Sequence, residues 1–163
     1  MSPRAAGRLE SLGFTEVYDY VAGKVDWFAA ELPTEGTNAE RPRAADVAAR
    51  DVPTCRLDER LGRVLSVGWD ACVVVNDKRT VLELLRAAEL DGDPGASIAH
   101  VMRPGPSTFR PFVGIEEMAK FMADHDLVSS PVTASDGKLV GLLHREDAVR
   151  VAGELHAREA RDG

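Results

Sequence analysis

Two cysteines, four histidines and a few adjacent acidic residues are what this chain offers for chemistry. Cys55 and Cys72 are not spaced as CxxC and no second pair accompanies them, which excludes a disulfide framework and a zinc site. Cys72 lies inside the apolar run from Ala71 to Val75 and is expected to be a buried, inert thiol. Cys55 follows Thr54 at the start of a predicted strand and is read the same way. His100, His125, His144 and His156 lack metal-ligand spacing, so surface or capping roles are assigned and no metal is expected. In Asp124-His125-Asp126 consecutive residues do not share a helical face, which makes the run a solvated helix end. Glu116-Glu117 falls on the outer side of an amphipathic helix and reads as a solvated face. No GxxxxGK[ST], GxGxxG or GxSxG motif occurs. No catalytic residues are assigned, and an enzyme is not expected.

The elements that must position such residues are bounded by composition. With 163 residues the chain suits one compact domain, or two small repeats sharing a core. It is 44% hydrophobic, 29% charged and only 6% aromatic, so the core must be mainly aliphatic. The net charge of -7 argues against a nucleic-acid partner and against a polybasic membrane contact. No apolar run exceeds five residues, too short to span a bilayer. The N-terminus MSPRAAGRLE lacks the apolar stretch of a secretory signal, so a cytoplasmic location is expected.

Residues 1–36 form a first segment. Ser2 is placed as a helix cap, followed by Pro3, with Ala5, Ala6, Leu9 and Leu12 at helical spacing and Gly13 as the stop. Phe14 to Tyr20 alternates partly and predicts a short strand. Gly23-Lys24 predicts a turn, and Trp27 to Ala30 a turn of helix ended by Pro33. Residues 37–43 read as a linker. Beyond it lies an internal repeat. Each copy has a Pro-containing turn and a short extended segment (Val52 to Arg56; Gly105 to Arg110), then a helix. Asp58 is placed as the first helix's cap, with Leu61, Val64 and Leu65 on one face. Ile115, Met118, Ala119 and Met122 mark the second helix. A buried strand follows (Ala71 to Val75; Leu127 to Val132), then a polar turn, then a second strand ending in a basic residue, Arg86 or Arg145. A long polar helix closes the chain from Glu146, with Ala148, Val151, Ala152 and Leu155 on one face. A unit of roughly 55 residues struggles to bury enough surface alone, so two must pack sheet to sheet. Trp27 and Trp69 are read as packing anchors.

This pattern resembles a tandem pair of CBS domains, the Bateman module. Copy two carries the likeness in Val101-Met102-Arg103-Pro104, Ser130-Pro131-Val132, Asp136 to Leu143 and His144-Arg145-Glu146-Asp147. The resemblance implies an α+β fold of two β-α-β-β-α repeats, with CBS 1 at 44–96, CBS 2 at 97–151 and a helical tail at 152–163. Copy one is more degenerate, with Leu82 where the family glycine is expected. The first segment resembles the C-terminal third of a rhodanese domain, through Ser2-Pro3-Arg4-Ala5-Ala6, Leu12-Gly13-Phe14, Val17-Tyr18, Ala22-Gly23, Trp27 and Leu32-Pro33. In that family the cysteine loop precedes the Ser-x-x-Ala-Ala helix, where this chain has Met1, so the resemblance implies a remnant without its nucleophile.

CBS pairs bind adenosine nucleotides or S-adenosylmethionine between the units, with a ribose motif Gly-h-h-Thr/Ser-x-x-Asp. Copy two gives Gly141 to Asp147. The resemblance assigns Asp147 to the ribose hydroxyls, His144 and Arg145 to phosphate at a helix N-terminus, and Thr108 with the backbone near Val128, Ser130 and Pro131 to the base. The alternative for Asp147 is simply to cap the last helix. The aligned positions of copy one, Leu82, Leu85 and Ala88, offer no carboxylate, and one site per chain is expected. A polyphosphate would require Arg103, Arg110, Arg145 or Arg150 to concentrate locally. No cofactor is required; AMP, ADP, ATP or S-adenosylmethionine are the candidate ligands. The implied function is a regulatory module that signals to a protein partner. The alternatives are a structural dimerisation module with decayed sites and a residual sulfur-transfer accessory. A homodimer through the stripes Leu61/Val64/Leu65 and Ile115/Met118/Met122 is expected.

Overall fold

A computed structural model describes residues 3–18, 23–30, 32–36, 39–66, 71–102 and 105–162. The first segment supplies α1 (Pro3–Ser11) and α2 (Gly23–Ala29), and α3 (Ala44–Val47) follows the linker. The first repeat runs β1 (Thr54–Cys55), α4 (Leu61–Leu65), β2 (Cys72–Val75), β3 (Val81–Leu85) and α5 (Ala87–Leu90). After α6 (Ile98–Val101), the second runs α7 (Ile115–Asp124), β4 (Ser129–Thr133), β5 (Leu139–His144) and α8 (Arg145–Asp162). β1 lies parallel to β2, and β2 pairs antiparallel with β3. β4 and β5 form the matching antiparallel pair. The counterpart of β1 is reduced to one parallel bridge between Phe109 and Val132.

The hairpin turns follow from their polar residues. Asn76 Oδ1 accepts the N–H groups of Lys78 and Thr80 at 2.9 and 3.0 Å, and Asp136 Oδ1 accepts that of Lys138 at 3.1 Å. The two tips are joined reciprocally. Gly137 O accepts the Val81 N–H and Arg79 O accepts the Leu139 N–H, both at 3.0 Å. Both residues whose carbonyls accept have positive φ, +79° at Gly137 and +61° at Arg79.

Three apolar clusters hold this arrangement. Cys72, Val74 and Leu85 face one way, onto Leu61 and Val64. Val73, Val75 and Leu84 face the other way, onto Leu139 and Leu142 of the second sheet. β2 is therefore buried on both faces, which explains its unbroken apolar run. In the second unit Ile115, Met118, Ala119 and Met122 pack with Val132, Leu143, Ala148 and Ala152.

The lead-in segments are exchanged. Ala44 and Ala48 of α3 lie in the core of the second unit, where the N–H groups of Ala44 and Ala45 donate to Val113 O and Pro111 O. Ile98 of α6 lies in the core of the first, where its N–H donates to Glu59 O. Each short helix thus completes the unit that its own repeat does not form. Gly141 permits the first exchange: a Cβ there would sit 2.6 Å from Ala49 O. In copy one the equivalent Leu82 O accepts only a long 3.5 Å bond from the Gly105 N–H.

Several local expectations are corrected. Residues 14–18 form no strand, because alternation without a neighbouring strand leaves the backbone groups unpaired. Gly23 and Lys24 open α2 rather than forming a turn. Asp58 does not cap α4, which starts at Leu61 after Arg60; its carboxylate faces Arg56 at 3.7 Å. Leu61, Val64, Ile115, Met118 and Met122 are buried in the chain's own cores and present no dimer contact. Gly13 does stop α1, with φ +92° and the Phe14 N–H reaching back to Leu9 O. Trp27 is partly buried and its indole N–H donates to Pro33 O at 2.8 Å. Ser2, Tyr20, Ala22, Trp69, Arg103 and Pro104 lie outside the described residues.

Candidate functional site

Where the sheets meet, a cavity of about 620 Å³ opens beside the ends of β3 and β5. The first unit contributes Ala71, ahead of β2, and Arg86 and Ala87 at the junction of β3 with α5. The second contributes Val128 and Ser129 at the start of β4, and His144, Arg145 and Glu146 at the junction of β5 with α8. That volume falls in the range of small-molecule sites. The walls are apolar at Ala71, Ala87 and Val128, and the polar side chains are those of Arg86, Arg145, His144, Ser129 and Glu146. The N-terminus of the 18-residue α8 adds the positive end of its dipole.

Of the predicted site residues, Asp147, Thr108, Ser130 and Pro131 are not among those that line this cavity. Val128, His144 and Arg145 line it together. Arg145 pairs with the exposed Asp126 at 2.9 Å, and its N–H donates to Val128 O. Asp147 follows on the first turn of α8, where Oδ1 accepts from Arg150 at 3.0 Å. Asp147, and then Glu154, hold the Arg150 guanidinium above its ordinary value through these hydrogen bonds. Ser130 and Pro131 are buried in β4. The Ser130 hydroxyl donates to Ser107 O at 2.6 Å, and Pro131 O accepts the Phe109 N–H at 2.9 Å. Their polar groups hold the segment that carries the exposed Thr108. Arg110, proposed for a basic patch, donates to Ala134 O instead.

Sequence reasoning missed Ala71, Arg86, Ala87, Ser129 and Glu146 as lining residues. A signal for Arg86 was present: both second strands end in a basic residue, Arg86 and Arg145, and those two meet at one cavity.

A second hollow, about 510 Å³, lies between the linker, α2 and α7. Here Arg43 stacks over the Phe28 ring at 4.5 Å. Arg41 bridges Glu116, at 2.6 Å, and Glu159, while His156 Nε2 contacts Glu116 at 2.6 Å. The cations of this seam already have carboxylate or aromatic partners, which makes it a packing contact rather than an anion site. Cys55 and Cys72 are buried and free, and they share a thiol hydrogen bond. That bond, with burial, raises Cys72 far above an ordinary thiol. Among the described residues no group of side chains could hold a metal ion.

Residues 98–154 match the family model described as CBS domain. The magnesium transporter MgtE of Thermus thermophilus is 33% identical over 79 residues, 48% of this chain and 18% of that protein. The crystal structure of the cytosolic domain of the Mg2+ channel MgtE in complex with ATP aligns with a TM-score of 0.62 at 25% identity, covering 69% of this chain and 50% of that one. The CBS domain pair of protein MJ0100, in complex with 5′-methylthioadenosine and S-adenosyl-L-methionine, aligns with a TM-score of 0.61 at 13% identity, over 70% of this chain and 98% of that one. The chain thus spans about a fifth of the curated relative's length and half of the solved transporter domain. Residues 98–154 are thus similar to a CBS domain, and the two-unit fold is shared with solved structures of CBS pairs.

Proposed function

We propose that this chain is a non-enzymatic regulatory module whose second-unit cleft takes an adenosine nucleotide or S-adenosylmethionine and passes the change to a protein partner. One observation carries the reading: both units line a single cavity, with His144 and Arg145 at the strand-to-helix junction. A ligand there touches both units, so its affinity depends on how they are set against each other, which is the differential interaction that sensing requires. Asp147 accepts the ribose hydroxyls with the oxygen that Arg150 leaves open. His144 and Arg145 meet the phosphate, and Val128 and Thr108 flank the base beside the main chain of Ser130 and Pro131. CBS 1 at 44–96 and CBS 2 at 97–151 remain the division of the repeat by sequence. A homodimer, on this reading, uses the outer faces of α7 and α8, where Phe121 and Val149 are exposed. A cytoplasmic setting suits the two free buried thiols. No nucleic-acid or membrane contact is assigned; among the described residues no helix is long and apolar enough to cross a membrane. Residues 1–36 are read as a rhodanese-like segment without sulfur-transfer activity, and thiosulfate turnover by the chain would contradict that.

Thermal shift with AMP, ADP, ATP, S-adenosylmethionine and NADH tests the main reading on the wild type and on Asp147→Ala. A ligand at a hundred times its Kd adds about 2.7 kcal/mol of stability. No shift with any of them refutes the sensor and leaves the dimerisation module. An equal shift in the variant removes Asp147 from the site.

A further inference from the structure

We infer that Arg86, from the unit whose own ligand motif is lost, is the phosphate anchor of this cavity and selects a phosphorylated ligand over an uncharged or cationic adenosine derivative. The inference rests on the cavity being an adenosine-ligand site. Arg41, Arg56, Arg63, Arg145 and Arg150 each pair with a carboxylate. The half-buried Arg86 guanidinium pairs with none among the described residues; its one bond is a long 3.4 Å contact to Leu84 O. A phosphate offers acceptors in the fork geometry that a guanidinium fits, and it would have no carboxylate among the described residues to displace from Arg86. Space for it exists, because the neighbours on that wall are Ala71 and Ala87. His144, opposite, also lacks a side-chain partner among the described residues. By the repeat, Arg86 corresponds to Arg145, so the two units bring equivalent arginines to one cavity. The net charge of -7 repels anions at long range, which makes a local anchor necessary. A phosphate held by Arg86 and His144 would bridge the units, whereas a sulfonium ligand would meet like charge there.

Calorimetric titration of wild type, Arg86→Gln and Arg86→Lys with AMP, adenosine and inorganic pyrophosphate tests this. The Arg86 N–H is bound to Glu89 Oε2 through the main chain, so the substitutions leave that contact at the start of α5 intact. The expected result is that Arg86→Gln weakens AMP by about tenfold or more and leaves adenosine within about twofold, with Arg86→Lys intermediate. Unchanged AMP affinity, or equal loss of AMP and adenosine, overturns the inference. Arg86-dependent binding of pyrophosphate without any binding of AMP or adenosine upholds the anchor and refutes the adenosine reading. Failure of wild type to bind either AMP or pyrophosphate overturns the anchor as well.

Discussion

Replacing Gly141 by Ala tests the exchange of lead-in segments most directly. The new Cβ would stand 2.6 Å from Ala49 O and 3.1 Å from Ala48 Cβ, whereas ordinary contact begins near 3.4 Å. The oxygen belongs to the backbone and cannot swing aside. Residues 48–49 must therefore retreat by about 0.8 Å. That movement strains the two bonds that seat the segment, Ala49 N–H to Leu142 O and Leu142 N–H to Ala49 O, both 2.9 Å. Each backbone bond contributes about 1 kcal/mol and overpacking costs about 1–3 kcal/mol, offset by about 0.5–1 kcal/mol from the stiffer unfolded chain. The expected net loss is about 2–4 kcal/mol, or roughly 5–15 °C in Tm for a chain of this size. Gly153→Ala is the control. Nothing lies within 4 Å of its added Cβ, on the exposed side of α8, so the same chemical change should stabilise by about 0.5–1 kcal/mol. Urea denaturation followed by circular dichroism, with calorimetry for Tm, reads both. A Gly141→Ala protein within about 0.5 kcal/mol of wild type would refute the close approach of residues 48–49 to β5.

Met122→Ala, at a fully buried position in the second core, should cost about 2–5 kcal/mol in the same denaturation assay, and a loss below about 1 kcal/mol would place α7 wrongly. Ellman's reagent should modify neither Cys55 nor Cys72 until denaturant is added; rapid reaction of either thiol in the folded chain would contradict their burial. Asp136 is held below the usual carboxylate range by hydrogen bonds from the Lys138 side chain and then its N–H. Its contribution to stability is therefore present above the unfolded value and lost as pH falls through the folded one. A carbon-detected NMR titration should show the Asp136 midpoint rising in Lys138→Ala, and an unmoved midpoint would remove Lys138 as the cause.

How much was legible depended on the range of the interactions. The run Cys72 to Val75 marked a strand because a segment buried on both faces must be apolar throughout, and the spacing of Ile115, Met118, Ala119 and Met122 marked a helix because one face alone meets the core. The predicted strand at 14–20 failed over 14–18 because alternation does not provide a partner edge. The proposed dimer stripes failed because an apolar face looks the same whether a second copy covers it or the chain's own sheet does. At the cavity, His144 and Arg145 could be found from their motif, while Arg86 was signalled only by its matching place at the end of a second strand, since its own copy carries Leu85 and Ala88 at the motif positions.

Period, turn chemistry and charge are local properties of residue types, and from them alone follows an acidic, aliphatic chain with two related hairpin-and-helix units. Which lead-in helix completes which core, and that Arg86 and Arg145 line one cavity, follows from the folded chain. Those outcomes depend on bonds between residues far apart in the chain, such as Ala44 N–H to Val113 O and Ile98 N–H to Glu59 O, and no local pattern encodes them.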